Sequence, residues 1–127
     1  MTDFSTQTNP AAPDDRSWVV CLCAEWCGAC REYRPLFEQV ARAHAQFRFA
    51  WVDIEDHAEL ADEFDVETFP TLLIAGTDGT RFLGPLLPHA ETLARLLGAL
   101  QPAQPSAPEV ATLLDALGRE PAGFSVA

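Results

Sequence analysis

The sequence predicts an α/β fold: a central mixed sheet of about four strands with helices on both faces. Three observations carry this expectation. A short, nearly unbroken apolar run, Trp18 to Cys23 (WVVCLC), suits a central strand covered on both sides. Apolar residues then recur at steps of three and four through Tyr33, Leu36, Phe37, Val40 and Ala41, the period of a helix packed along one face. Beyond them, strand-like and helical patterns alternate and close with a hairpin, an order that gives a mixed sheet rather than a purely parallel one. At 127 residues and 48% apolar, the chain is long enough for one domain with an ordinary core.

Each element has its own justification. Residues 1–15 are polar, carry two prolines and are expected to form a flexible tail ahead of a domain over 16–101. After the first strand a helix is predicted from Gly28 to about His44, with Pro35 inside it as the source of a kink. Phe47 to Ile54 (FRFAWVDI) alternates and reads as a second strand. Ala58 to Phe64 (AELADEF) reads as a short helix and Pro70 to Ala75 (PTLLIA) as a third strand. Gly76-Thr77-Asp78-Gly79 is a turn, and Thr80 to Leu83 completes the hairpin. Pro88 is expected to open a helix that runs to Leu100, with Leu93, Leu96, Leu97 and Leu100 facing inward. The stretch 101–108 (QPAQPSAP) reads as a linker, so that 102–127 is set apart as linker and short C-terminal helix. In that helix Val110, Leu113, Leu114 and Leu117 have helical spacing and Gly118 is placed as the cap. The segment is expected either to dock on the domain or to await a partner.

Charge excludes several function classes. The formal charge is −11, from 19 acids against 8 basic residues, all of them arginine. Such a chain lacks the electrostatic footprint for phosphate backbones and is repelled by anionic membrane surfaces. No stretch approaches the roughly 18 apolar residues of a membrane span. The first residues show no basic-then-apolar signal pattern, so a cytoplasmic setting is expected; the chain is separately expected to be a monomer. In that compartment four cysteines are more often reduced, catalytic or metal-bound than structural bridges. An acidic stretch (Asp53, Glu55, Asp56, Glu59, Asp62, Glu63, Asp65, Glu67) contrasts with Arg31, Arg34, Arg42 and Arg48 on and after the first helix. Solvated faces explain this distribution, and steering of a partner is the functional alternative.

The chemistry-bearing residues are Glu25-Trp26-Cys27-Gly28-Ala29-Cys30 and, some forty residues on, Thr68-Phe69-Pro70-Thr71. Two cysteines separated by two small residues, where a strand gives way to a helix, bring both sulfurs to the positive helix end. A reversible dithiol–disulfide couple needs that arrangement. A lone CxxC is weak evidence, because metal sites share it. Here it is joined by Pro35 five residues past Cys30, by Val52-Asp53-Ile54-Glu55 ending a strand, and by Thr68-Phe69-Pro70-Thr71 followed by an apolar strand, a glycine turn and Gly84. Over about residues 17–101 the chain therefore resembles the thioredoxin-like superfamily, with the N-terminal strand and helix reduced.

The resemblance implies a thiol–disulfide oxidoreductase acting on protein disulfides, with a reductase as electron donor and neither cofactor nor metal. It implies that Cys27 attacks and Cys30 resolves, and that Trp26, Gly28, Ala29, Thr68, Phe69 and Pro70 form the substrate surface. It also implies a cis Phe69–Pro70 bond beside the sulfurs, leaving the Phe69 backbone open to an extended substrate strand. Departures from the pattern bear on rate and direction. Cys21 occupies the place of a buried aspartate that moves the resolving thiol's proton, and Trp51 that of its lysine partner. Both charges are lost together, so neither is stranded. With Glu25 and Cys21 left as the candidate proton-transfer or tuning groups, a slower exchange step is expected. Ala29 replaces the usual proline between the cysteines, which leaves the redox poise open.

Cys21 and Cys23, two apart on a strand, point to one face at a spacing near the outer limit for a bridge, and read as small buried residues. Two alternatives stand beside the oxidoreductase. One is a thioredoxin-fold interaction or chaperone module with a vestigial or regulatory dithiol; the other is a metal site formed by Cys21, Cys23, Cys27 and Cys30. His44, His57 and His89 show no ligand spacing and read as surface or capping residues.

Overall fold

A computed structural model describes residues 16–24, 27–64, 66 and 70–126. Its elements are β1 (Trp18–Cys23), α1 (Gly28–Ala43), β2 (Arg48–Asp53), α2 (Ala58–Ala61, continued by a 3₁₀ turn Asp62–Phe64), β3 (Thr71–Gly76), β4 (Gly79–Pro85), α3 (Ala90–Leu97), α4 (Pro108–Arg119) and α5 (Pro121–Phe124). The strands order as β2-β1-β3-β4. β1 and β2 run parallel, as a strand–helix–strand crossover through α1 requires, and β3 is antiparallel to both β1 and β4.

Strand periodicity decides which core each side chain joins. On β1, every residue of which is buried, Val19, Cys21 and Cys23 fall on the face covered by α1 and α3. Trp18, Val20 and Leu22 fall on the opposite face, with Val110, Leu113, Leu117 and Phe124 of α4 and α5. β2 splits the same way, Phe49 and Trp51 toward α1, Ala50 and Val52 toward α4, and so does β3, with Leu72 and Ile74 against Leu73 and Ala75. Two apolar layers on one sheet explain why the run WVVCLC shows no polar alternation.

The C-terminal segment therefore docks, and docks extensively. Although 102–127 was set apart on composition, its packing belongs to the domain. No helix precedes β1 among the described residues, and α4 covers the face that α1 leaves bare. The linker is pinned to the β4 edge: Thr80 donates its N–H to the Gln104 carbonyl at 2.7 Å, and Gln104 donates back to the Thr80 carbonyl at 2.8 Å. The Thr80 and Ser106 hydroxyls meet at 2.7 Å. At the other edge, Ser125 bridges Ala50 and the Val126 N–H donates to the Phe49 carbonyl at 3.0 Å. Residues 104–126 thus strap the sheet from one edge to the other.

Several boundaries move from those predicted. Gly118 lies inside α4, which runs to Arg119 and is capped at Glu120 rather than at the glycine. α3 begins at Ala90, because His89 holds an extended N-cap conformation after Pro88, and it ends at Leu97. Pro35 lies within α1 without ending it. The hairpin turn rests on Gly79, at φ 125°, a conformation that L side chains rarely adopt.

Candidate functional site

The site forms where the C-terminal end of β1 meets the N-terminus of α1. Cys23 closes β1, level with Asp53 on β2, and its carbonyl accepts the Ile54 N–H at 2.9 Å. The chain returns at Cys27, whose N–H donates to the Ala24 carbonyl at 3.0 Å. Cys27 is the extended N-cap of α1 (φ −82°, ψ 120°), and its carbonyl accepts the Arg31 N–H at 3.1 Å, the first turn of the helix. An N-cap side chain stands among unpaired backbone N–H groups, where negative charge is favoured. Cys27 is half-buried and unbonded; Gly28 and Ala29 are exposed; Cys30, one turn on, is buried.

Cys30 is disulfide-bonded to Cys23, not to Cys27, with the two Cα atoms 5.9 Å apart. This corrects two expectations. Cys23 is not merely a small apolar filler, and the bond in this state lies between strand and helix rather than within the CxxC turn. The physical reason is alternation along β1, which aims Cys23 into the α1 face beside Cys30, the buried cysteine of the helix's first turn. With two of the four sulfurs joined, the four-thiolate arrangement does not form. Among the described residues no group of three or more His, Cys, Asp or Glu converges to hold a metal.

Cys21 remains a thiol, buried on the same face, and its burial pushes its ionisation well above the ordinary thiol range. It stands in register with Trp51, so the two positions expected to have lost a charged pair are cross-strand neighbours. The Trp51 ring packs near those of Tyr33 and Phe37, at 6.4 and 5.6 Å between centroids, and the Arg34 guanidinium lies 5.0 Å over it. The surroundings of Cys21 are thus aromatic and closed, and burial outweighs the opposing pull of the Arg34 charge. That is unsuited to proton transfer by Cys21 itself.

Pro70 is buried and immediately precedes β3. Leu22 pairs with Thr71, so one further step of the antiparallel register brings Pro70 level with Cys23. Its carbonyl accepts the Leu86 N–H at 3.1 Å. The structure thus brings Pro70 to the end of the sheet that carries the cysteines. Glu25, Trp26, Thr68 and Phe69 lie outside the described residues, and with them the expected cis bond.

A groove of about 390 Å³ opens beside Cys30, lined also by Ala24, Arg31, Arg34, Trp51, Asp53 and Asp56. Asp53 Oδ1 accepts the Glu55 and Asp56 N–H groups at 2.8 and 3.2 Å, which shapes the loop forming one wall. A larger hollow of about 850 Å³ lies at the opposite end of β1, between Trp18, Arg48 and α4, with none of the four cysteines in its lining. Of the four cysteines, Cys30 alone lines the smaller one. The histidines pack and cap: His57 lies on Phe124 at 4.7 Å between centroids, His44 Nδ1 is 2.9 Å from the Val40 carbonyl, and His89 is the N-cap of α3.

Comparison with known proteins agrees with this layout. The family model described as Thioredoxin matches residues 2–85. A putative thioredoxin 2 of Streptomyces coelicolor is 36% identical over 78 residues, covering 61% of this chain and 58% of that protein. The mitochondrial thioredoxin of Mus musculus is 38% identical over 79 residues, covering 58% of this chain and 48% of its own. The chain thus spans about half to three fifths of the length of these relatives. Among solved structures, a Fasciola hepatica thioredoxin superposes with a TM-score of 0.61 at 25% identity, covering 68% of this chain and 83% of that one. The Drosophila melanogaster thioredoxin Deadhead superposes equally, at 0.61 and 21% identity, over 67% of this chain and 81% of its own.

Proposed function

Because the chain belongs to the thioredoxin family, we propose that it reduces or exchanges protein disulfides through Cys27 and Cys30, in a reducing compartment and with a reductase as electron donor. The observation that carries this reading is the contrast at the first turn of α1: an unbonded, half-buried Cys27 at the N-cap and a buried, redox-bonded Cys30 one turn behind it. Cys27 as thiolate attacks a substrate disulfide, forms a mixed disulfide and expels one substrate thiolate. Cys30 then attacks the Cys27 sulfur, the second substrate thiol leaves, and the protein keeps the bond. The groove beside Cys30, with Arg31 and Arg34 facing Asp53 and Asp56, offers a wall of both charges to a polypeptide.

The test is insulin reduction driven by dithiothreitol, comparing wild type with Cys27→Ser and Cys30→Ser. Both variants are expected to fall to the rate of dithiothreitol alone. Equal rates for all three proteins would sink the proposal. A buried thiol, Cys21, stands where the family places a carboxylate that moves the resolving thiol's proton, and this supports a slow exchange step.

A further inference from the structure

Cys30 has two suitors, and the one bonded to it lies outside the CxxC motif. We propose that Cys23 is a third redox-active cysteine, which competes with Cys27 for the bond to Cys30; the inference rests on the dithiol chemistry of the preceding section. Cys23 and Cys27 both pack in the cluster that holds Cys30. Cys23 and Cys30 stand 5.9 Å apart at Cα, inside the usual range for a disulfide of about 4.4–6.8 Å. Cys27 is the N-cap of the helix whose first turn carries Cys30, three residues on. All three sulfurs belong to one packed cluster, Cys27 at its margin. The difference lies in access: Cys23 and Cys30 are 0% and 1% exposed, whereas Cys27 reaches the surface.

The exchange is an internal rearrangement. A substrate disulfide supplies the oxidising equivalents that close Cys27–Cys30. Cys23, as thiolate, then attacks the Cys30 sulfur; the Cys23–Cys30 bond forms, the Cys27–Cys30 bond breaks, and Cys27 leaves as thiolate. One proton passes from Cys23 to solvent or to Cys27. One disulfide is consumed and one made, so the protein's oxidation state is unchanged and no further oxidant is needed.

The consequence is an oxidised protein that still carries its nucleophile. In that state Cys27 attacks another disulfide, but Cys30 is occupied and cannot resolve the product. Release must then come from a further substrate thiol, other than the one just expelled, attacking the substrate sulfur bonded to Cys27, which returns Cys27 and leaves the substrate with a rearranged disulfide. Reduced protein therefore acts as a reductase and oxidised protein as an isomerase at the same residue.

The two candidate bonds are separable because Glu25 lies between Cys23 and Cys27. The full chain, reduced and then oxidised with oxidised glutathione, is acid-quenched, alkylated in denaturant and cleaved after glutamate. The expected product is the peptide ending at Glu25 linked to residues 26–32, with Cys27 alkylated and fragmentation placing the link at Cys23. A looped 26–32 peptide alone, or a link at Cys21, overturns the proposal. Two variants extend the test. Cys27→Ser should still lose two hydrogens on oxidation, and oxidised Cys23→Ala should lose the native-state iodoacetamide labelling of Cys27 that oxidised wild type shows. If neither change is seen while Cys27→Ser still abolishes insulin reduction, the CxxC reading survives and this one fails. If the linked peptide forms but Cys27→Ser reduces insulin like wild type, the bond is structural, and both readings fail.

Discussion

Tyr33 sits in the α1 core with its ring against Phe37 and Trp51, and its hydroxyl is buried with no hydrogen-bond partner among the described residues. A buried, unpaired hydroxyl costs free energy that phenylalanine of the same shape does not. Tyr33→Phe should therefore raise unfolding stability by about 1 kcal/mol at neutral pH, read from the urea midpoint. An unchanged or lower midpoint would contradict it. The same residue and Cys21 govern the response to alkali. Burial pushes both groups up from ordinary values of 10.0 and 9.0. The native state then holds protons that the unfolded chain releases from about pH 9 upward, so stability is intact below that pH and declines above it. The Tyr33→Phe variant should show a shallower alkaline loss. Part of this scale was legible in advance. The CxxC pair and the buried state of Cys21 follow from residue types and spacing, and the exchange at Trp51 from the family resemblance. The partner of Cys30 did not, because a strand's alternation says that Cys21 and Cys23 share a face but not which helix covers it.

At the scale of elements, the β3–β4 hairpin shows how one residue holds two others in place. Gly79 has a positive φ, and a Cβ there would run into the Gln104 carbonyl oxygen, the acceptor for Thr80 N–H. Gly79→Ala meets both obstacles: a left-handed backbone costing roughly 1–2 kcal/mol and displacement of the bridging strand. A midpoint lowered by at least that amount is expected in urea unfolding, together with faster amide exchange at Thr80 and Gln104. Unchanged exchange would show that the bridge tolerates the Cβ. Turn and strand were legible here from the glycines and the apolar run, whereas the partner segment was not. Its sequence, rich in proline and small polar residues, looks like a linker because a single bridge leaves no hydrophobic period. Gly118 misled for a related reason. A Cβ there would meet nothing within 4 Å, so the helix tolerates a glycine without ending on it.

The whole molecule depends on a segment that composition marks as an appendage. Val110, Leu113, Leu117 and Phe124 bury the face formed by Trp18, Val20, Leu22, Val52 and Leu73. Burial of such side chains is worth about 1.5–3 kcal/mol each, together comparable to the roughly 5–15 kcal/mol by which a whole domain is stable. Deleting residues 101–127 should leave a chain that binds a hydrophobic dye, loses cooperative unfolding and associates. A monomer with a sharp thermal transition would refute this. The outline of the domain and the place of its cysteines could be inferred without that segment, since the thioredoxin-like pattern ends near residue 101. The second core could not, because Leu-rich helical spacing states that a face is apolar without naming what it covers.

The strap also sets an order of events during synthesis. A nascent chain that has emerged as far as Leu100 can form β1 to β4 and the α1 layer, yet β2 and β4 remain open at their outer edges and one sheet face stays wet. Exposed strand edges invite pairing with other chains. Until residues 104–126 have emerged, the growing polypeptide thus carries an apolar face and two strand edges open to association, while Cys21, Cys23 and Cys30 already lie under the α1 layer.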